Sequence, residues 1–154
     1  MTSGEINLKI VTDRLAYLKQ CLAELGNLPA DSFEEFVSDA RNPATAESFL
    51  RRGIEALIDV ARHLLARAYG IAPLEYREVA RQAAEKGLVS KPELAHRFEE
   101  IAGFRNRLTH YYSEVTEEEL FGIVTGQLDD LAAIAAALRG SAGRLARESG
   151  NRGA

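Results

Sequence analysis

The stretch Arg105-Asn106-Arg107-Leu108-Thr109-His110-Tyr111-Tyr112 crowds two guanidinium groups, a carboxamide, an imidazole and two phenols into one short segment. Histidine has an unperturbed pKa of about 6.5 and can take or give a proton near neutral pH. Arginine is a permanent planar cation whose donors match phosphate oxygens. The pair therefore suits phosphodiester cleavage. On an ideal helix Asn106 and His110 share a face, whereas Arg105 and His110 point about 140° apart. Arginine's length or a fraying helix end can close that gap. Alternatively, two copies of the chain bring their motifs together and each completes the other's cleft. The plainer reading is that Arg105, Arg107 and His110 occupy a last helical turn, where the negative end of the helix dipole favours cations. On that reading Tyr111 and Tyr112 simply pack at the end of a bundle with wet hydroxyls.

Other chemistry-bearing residues are sparser. Asp59 and His63 are spaced so that, on a helix, a carboxylate can hold the imidazole. Such a pair is either a surface contact or part of a cleft between subunits. His96 reads as a solvated helix residue. The acidic run Glu117-Glu118-Glu119 suits the positive start of a helix better than a metal site. No Cys or His cluster has zinc-ligand spacing, and the single cysteine, Cys21, reads as small apolar filler with no internal disulfide partner. No metal and no cofactor are expected. Tryptophan is absent, so no aromatic platform for stacking bases is evident.

The 154 residues suffice for one compact domain and are too few for two ordinary ones. Hydrophobic residues at 46% and charged residues at 27% exclude a disordered or fibrous chain. The net charge of −4 argues against a protein that coats nucleic acid indiscriminately, although it leaves room for a local basic cleft. No apolar run approaches the length of a bilayer span, and the amino terminus lacks the pattern of a secretion signal. The expectation is a cytoplasmic protein with no membrane partner.

Helical periodicity supplies the elements that must position the motif. Leu8, Val11, Leu15, Leu18, Leu22 and Leu25 predict a first helix from about Glu5 to Leu25, opened by a Thr2/Glu5 capping box and stopped by Gly26, Asn27 and Pro29. A short helical turn over Asp31 to Val37 follows. Asn42-Pro43 reads as an N-cap and first helical position for a long second helix. Its apolar face carries Phe49, Leu50, Ile54, Leu57, Ala61, Leu64, Leu65 and Ala68, and Gly70 ends it in the left-handed conformation. Its other face carries Arg52, Glu55, Asp59, Arg62 and His63. Pro73 to Lys86 predicts a third helix closed by Gly87, with Tyr76, Val79, Ala80 and Ala83 on one side. A Ser90/Glu93 capping box opens a fourth, which bears Leu94, Phe98, Ile101, Ala102 and Leu108 and delivers the motif. A Thr116/Glu119 box opens a fifth, running through Leu138. Residues 140–154, rich in Gly, Ser, Arg and Asn, predict a flexible C-terminal tail after a single helical domain over 1–139. The whole is expected to be all-α, an up-and-down bundle of four to five helices.

Phe104-Arg105-Asn106-Arg107-Leu108-Thr109-His110-Tyr111-Tyr112 resembles the R-x-x-x-x-H-x-Y signature of the HepT family within the HEPN domains. Arg52 to His63 resembles that family's second helix, and Ala84-Glu85-Lys86-Gly87-Leu88-Val89, with the helix leading into Phe104, resembles its middle portion. The resemblance covers residues 5 to 138; Thr109 stands where relatives often carry valine. It implies a HEPN-like bundle and a metal-independent ribonuclease toxin. It also implies a homodimer with facing motifs and a partner antitoxin of the minimal nucleotidyltransferase (MNT) type. Such antitoxins transfer AMP to the motif tyrosine, here Tyr112. With RNA as substrate, His110 becomes the base or acid and Arg105 the phosphate ligand. Asn106 orients one of them, and Tyr112 lines the RNA path. A rival from another class is a silent HEPN subunit that binds substrate or nucleotide for a nucleotidyltransferase.

Overall fold

The computed structural model describes residues 4–109 and 115–152. Among them every regular element is an α-helix: α1 (Leu8–Gly26), α2 (Phe33–Val37), α3 (Arg41–Tyr69), α4 (Tyr76–Glu85), α5 (Pro92–Thr109), α6 (Glu117–Gly126) and α7 (Leu128–Arg152). The long helices α1, α3, α5 and α7 form an up-and-down bundle, and α2, α4 and α6 close its flanks. This is the all-α architecture that the periodicity predicts.

Helix α3 is the axis of the molecule and touches every other helix. Its buried residues Leu50, Ile54, Leu57, Ala61, Leu64 and Leu65 are those of the predicted apolar face. Ala46, Gly53, Ala56, Ile58 and Val60 are buried as well, so the apolar arc is wider than a single stripe. What remains polar on α3 is a narrow ridge through Arg52, Glu55, Asp59 and Arg62. Helix α1 packs tightly on α3 at Gly53, where an added Cβ would stand 3.1 Å from Leu18 Cδ1 and 3.4 Å from Cys21 Cβ. Cys21 is buried there as an apolar filler. The fully buried Phe36 and Phe98 extend the core, and Phe121 of α6 meets both Phe33 and Phe36 of α2 at 5.7 Å between ring centroids.

The helix ends match the sequence signals unevenly. Thr116 and Glu119 form the expected capping box at the start of α6. Gly70 (φ 65°) and Gly87 (φ 73°) are left-handed as expected after α3 and α4, with Leu88 N–H donating to Ala83 O across the second turn. Helix α1 instead begins at Leu8, capped by the Asn7 side chain, which accepts from Ile10 N–H at 3.1 Å; Thr2 lies outside the described residues. Helix α3 starts before Asn42, whose side chain donates to Phe36 O and so fastens α2 rather than capping α3. Pro73 precedes α4 by three residues, and Pro92, not Ser90, marks the first turn of α5, where Lys91 O accepts from Ala95 N–H.

Two larger expectations are corrected. The predicted fifth helix is two helices, bent by 60°. Gln127, with φ −126°, is the joint: its N–H closes α6 on Ile123 O and its carbonyl receives Leu131 N–H to open α7. Residues 140–152 are helical rather than a flexible tail. Ala142 and Leu145 continue the buried series Leu131, Ile134, Leu138, and the buried Ser141 hydroxyl donates to Leu88 O at 2.9 Å. The glycines weaken the helix locally, but the unbroken apolar period gives it something to bury. No single helix among the described residues is long and apolar enough to cross a membrane.

Candidate functional site

The last turns of α5 carry the front half of the motif into the bundle's polar ridge. Arg105 is only 12% exposed, and its Nε lies 3.0 Å from Glu55 Oε2 on α3. Its guanidinium also lies 5.2 Å from the centre of the Tyr76 ring at the start of α4. Arg62 reaches the same ring at 5.1 Å while donating to Leu74 O at 2.9 Å. A planar cation packed on an aromatic ring and held by a carboxylate has few orientations left. The 140° problem is thus half answered: Arg105 points toward α3 because Glu55 and Tyr76 hold it there.

Arg105 forms one wall of a cavity of about 380 Å³ lined also by Arg14 and Tyr17 of α1 and by Arg51, Arg52, Glu55, Ala56 and Asp59 of α3. Asp59 lies 3.7 Å from Arg14 Nε. Burial pushes the Asp59 carboxyl up from its usual range, and Glu55 reinforces the shift, while Arg14, Arg62 and Arg105 oppose it. Burial likewise raises the Tyr76 phenol, with Arg105 opposing and Glu55 reinforcing. Four arginines against two carboxylates make this cavity cationic in a chain whose net charge is −4.

The neighbouring motif residues face elsewhere. Asn106 is exposed and lines a separate cavity of about 370 Å³ with Leu74, Glu75, Tyr76 and Arg77. Arg107 makes a two-pronged ion pair with Glu119, at 2.6 and 2.9 Å, which depresses the carboxyl of Glu119. Because Glu119 is also the capping-box residue of α6, this pair ties the end of α5 to the start of α6 on either side of the motif's remainder. The acidic run thus serves the helix start, as its position suggests, and Glu119 anchors Arg107 besides. His110, Tyr111 and Tyr112 lie outside the described residues.

Asp59 and His63 do not pair. His63 Nε2 accepts the Asn7 N–H at 2.9 Å and so supports the start of α1. An accepting nitrogen requires the neutral ring, and burial followed by the Arg67 charge lowers the His63 pKa accordingly. Asp59 belongs to the cavity and His63 to the scaffold. His96 is solvated, beside Glu100 at 3.1 Å. Among the described residues no group of His, Cys, Asp and Glu has the arrangement of a metal site. The partners that sequence reasoning missed are Glu55, Tyr76 and Arg14. Glu55 was visible as part of the polar ridge of α3, but nothing in the spacing says which ridge residue meets a helix fifty positions later.

An all-α bundle thus sets Arg105 of an R-x-x-x-x-H-x-Y segment, only 12% exposed, beside Glu55 on the mixed-charge ridge of α3. Comparison with known proteins is specific: residues 9–138 match the family described as ribonuclease HepT-like, and the chain belongs to that family. No curated protein matches the sequence. Among solved structures, the chain is similar to the tri-AMPylated HEPN toxin of Shewanella oneidensis in complex with MNT antitoxin. The two are 23% identical with a TM-score of 0.76, covering 85% of this chain and 97% of that one. It is similar also to a toxin–antitoxin chain crystallised with AMP-PNP, at 22% identity, TM-score 0.73 and coverages of 84% and 97%. These structures share the fold.

Proposed function

We propose that the chain is a ribonuclease toxin that cleaves RNA without a metal ion, works as a homodimer, and is silenced when an MNT-type antitoxin adenylylates Tyr112. The observation that carries the reading is the placement of the motif's Arg105 beside Glu55 and Tyr76 on the wall of a cationic cavity in a chain of the HepT-like family. The similar structures support the antitoxin part, since they are toxins bound to MNT antitoxin or crystallised with an ATP analogue.

In the reaction, the 2′-hydroxyl oxygen of one nucleotide attacks its own phosphorus while its proton passes to a base. The bond from phosphorus to the 5′-oxygen breaks, and that oxygen takes a proton. The products are a 2′,3′-cyclic phosphate and a 5′-hydroxyl end. His110 serves as base or acid, and Arg105 stabilises the charge that grows on the phosphate oxygens. Asn106, exposed beside the second cavity, orients the imidazole or the phosphate. In the silencing step the Tyr112 oxygen attacks the α-phosphorus of ATP and pyrophosphate leaves. The added phosphate and nucleoside place bulk and negative charge against Arg105, where they repel the RNA backbone.

Expression of the chain alone should arrest growth and its purified form should cut RNA in excess EDTA, whereas Arg105→Ala and His110→Ala chains should do neither. Labelled AMP from ATP should enter the wild type in the presence of the antitoxin and not the Tyr112→Phe chain. Undiminished toxicity of both Arg105→Ala and His110→Ala chains would overturn the catalytic assignment.

A further inference from the structure

The cavity between α1, α3 and α5 holds more cationic side chains than one scissile phosphate requires. Arg105 sits on its inner wall, paired with Glu55, and Arg14 stands across Asp59. Arg51 and Arg52, on successive positions of α3, are exposed at its rim, and Arg52 is braced over the Phe49 ring at 5.8 Å. Tyr17 is 39% exposed and presents an aromatic ring to the same cavity from α1. An exposed aromatic beside two exposed guanidinium groups is the pairing that single-stranded nucleic acid selects. Each base offers a face to stack and each linkage a phosphate to neutralise. The volume, about 380 Å³, is of the order of one nucleotide.

From this geometry we infer that the cavity is a subsite for the nucleotide next to the cleaved linkage, with Arg51 and Arg52 on its phosphate and Tyr17 stacked on its base. The inference rests on the RNA-cleaving reading and extends it by assigning substrate contacts outside the motif. Arg105 is shared between the subsite and the scissile phosphate, which places the two within one nucleotide step of each other. The carboxylates of Glu55 and Asp59 keep the inner arginines occupied until a phosphate competes for them. Stacking on Tyr17 favours a single strand over double-stranded RNA, whose bases are not free to stack. An acidic segment of a partner protein would use the same arginines but would have no need of the exposed ring.

The test measures binding of a fluorescent single-stranded RNA of about a dozen nucleotides to His110→Ala protein, over a range of salt concentrations, beside cleavage by the corresponding His110 chains. Arg51→Ala and Arg52→Ala should each lower the slope of log affinity against log salt by about 0.7, the value for one phosphate contact on a single strand. Tyr17→Ala should weaken binding by about fivefold or more, and Tyr17→Phe should restore it because the ring, not the hydroxyl, stacks. Arg144→Ala, which removes the same charge from the exposed face of α7, should leave the slope unchanged. Wild-type cleavage with no change of slope or affinity in the cavity variants overturns the subsite and leaves the ribonuclease reading standing. Cavity variants that bind RNA normally but escape the antitoxin assign the cavity to that partner and overturn the subsite too. A wild type that neither binds nor cleaves RNA overturns the reading beneath it.

Discussion

Arg105 earns its orientation from residues that are not its neighbours in sequence. Its guanidinium is largely out of water, and a buried charge is tolerated only when a partner charge and hydrogen bonds replace the lost solvation. Glu55, about one-third exposed, is that partner at 3.0 Å. Truncation by Glu55→Ala leaves a mostly buried cation facing an apolar methyl. We expect it to cost about 1–3 kcal/mol, less than for a fully buried pair because solvent reaches Glu55. If the chain cleaves RNA as proposed, the same change should lower cleavage, since Arg105 loses the carboxylate beside it at the cavity wall. Glu55→Gln, which keeps the side chain's shape and removes only its charge, should retain more of both. Chemical denaturation alongside single-turnover cleavage measures the two effects. Loss of stability with unchanged cleavage would show that Glu55 supports the fold alone.

At the scale of elements, each helix is shaped by how far its apolar period runs. Helix α7 is the clearest case, because Leu131, Ile134, Leu138, Ala142 and Leu145 form one buried line across a segment whose glycines and serines look unstructured by composition. The line is anchored by Ser141, whose hydroxyl satisfies Leu88 O in the turn after α4. Leu145→Ala removes the last large side chain of that line. It should destabilise the fold by about 2 kcal/mol, the lower part of the range for leucine truncation, because the end of a helix can adjust. A thermal melt that moved by less than a degree would mean that the last turns of α7 contribute nothing to the folded state. The bend at Gln127 has the complementary cause: Gly126 weakens the helix where Gln127 leaves helical geometry, and the change of direction lets α6 and α7 each bury their apolar sides.

For the molecule as a whole, the charge is acidic while the cavity beside the motif is cationic, so binding depends on where the arginines are gathered rather than on total charge. Arg105 is oriented inward along α3, and the 140° separation on α5 still divides it from His110 on one ideal helix. The proposed homodimer with facing motifs would meet that requirement by taking the arginine from one copy and the histidine from the other. If so, mixing Arg105→Ala chains with His110→Ala chains should restore part of the cleavage that each lacks alone, since one cleft of each mixed dimer keeps both groups. Refolding the two inactive proteins together and assaying RNA cleavage tests this. No recovery in verified mixed dimers would place arginine and histidine in the same chain's site.

By itself the sequence determined the helical class, the faces that α1, α3, α5 and α6 bury, the glycine stops after α3 and α4, the capping box of α6 and the place of Arg105 to Thr109 in the last turns of α5. These follow from local rules: periodicity selects a face, and caps satisfy backbone groups within a few residues. The tertiary structure alone decided that Glu55 and Tyr76 meet Arg105 and that Asp59 and His63 do not pair. It likewise decided that His63 serves the start of α1, that Arg107 spans to Glu119, and that the last helix runs to Arg152. Each of these depends on which ridge of one helix lies against another. Sequence spacing records that choice only as a set of polar residues waiting for partners.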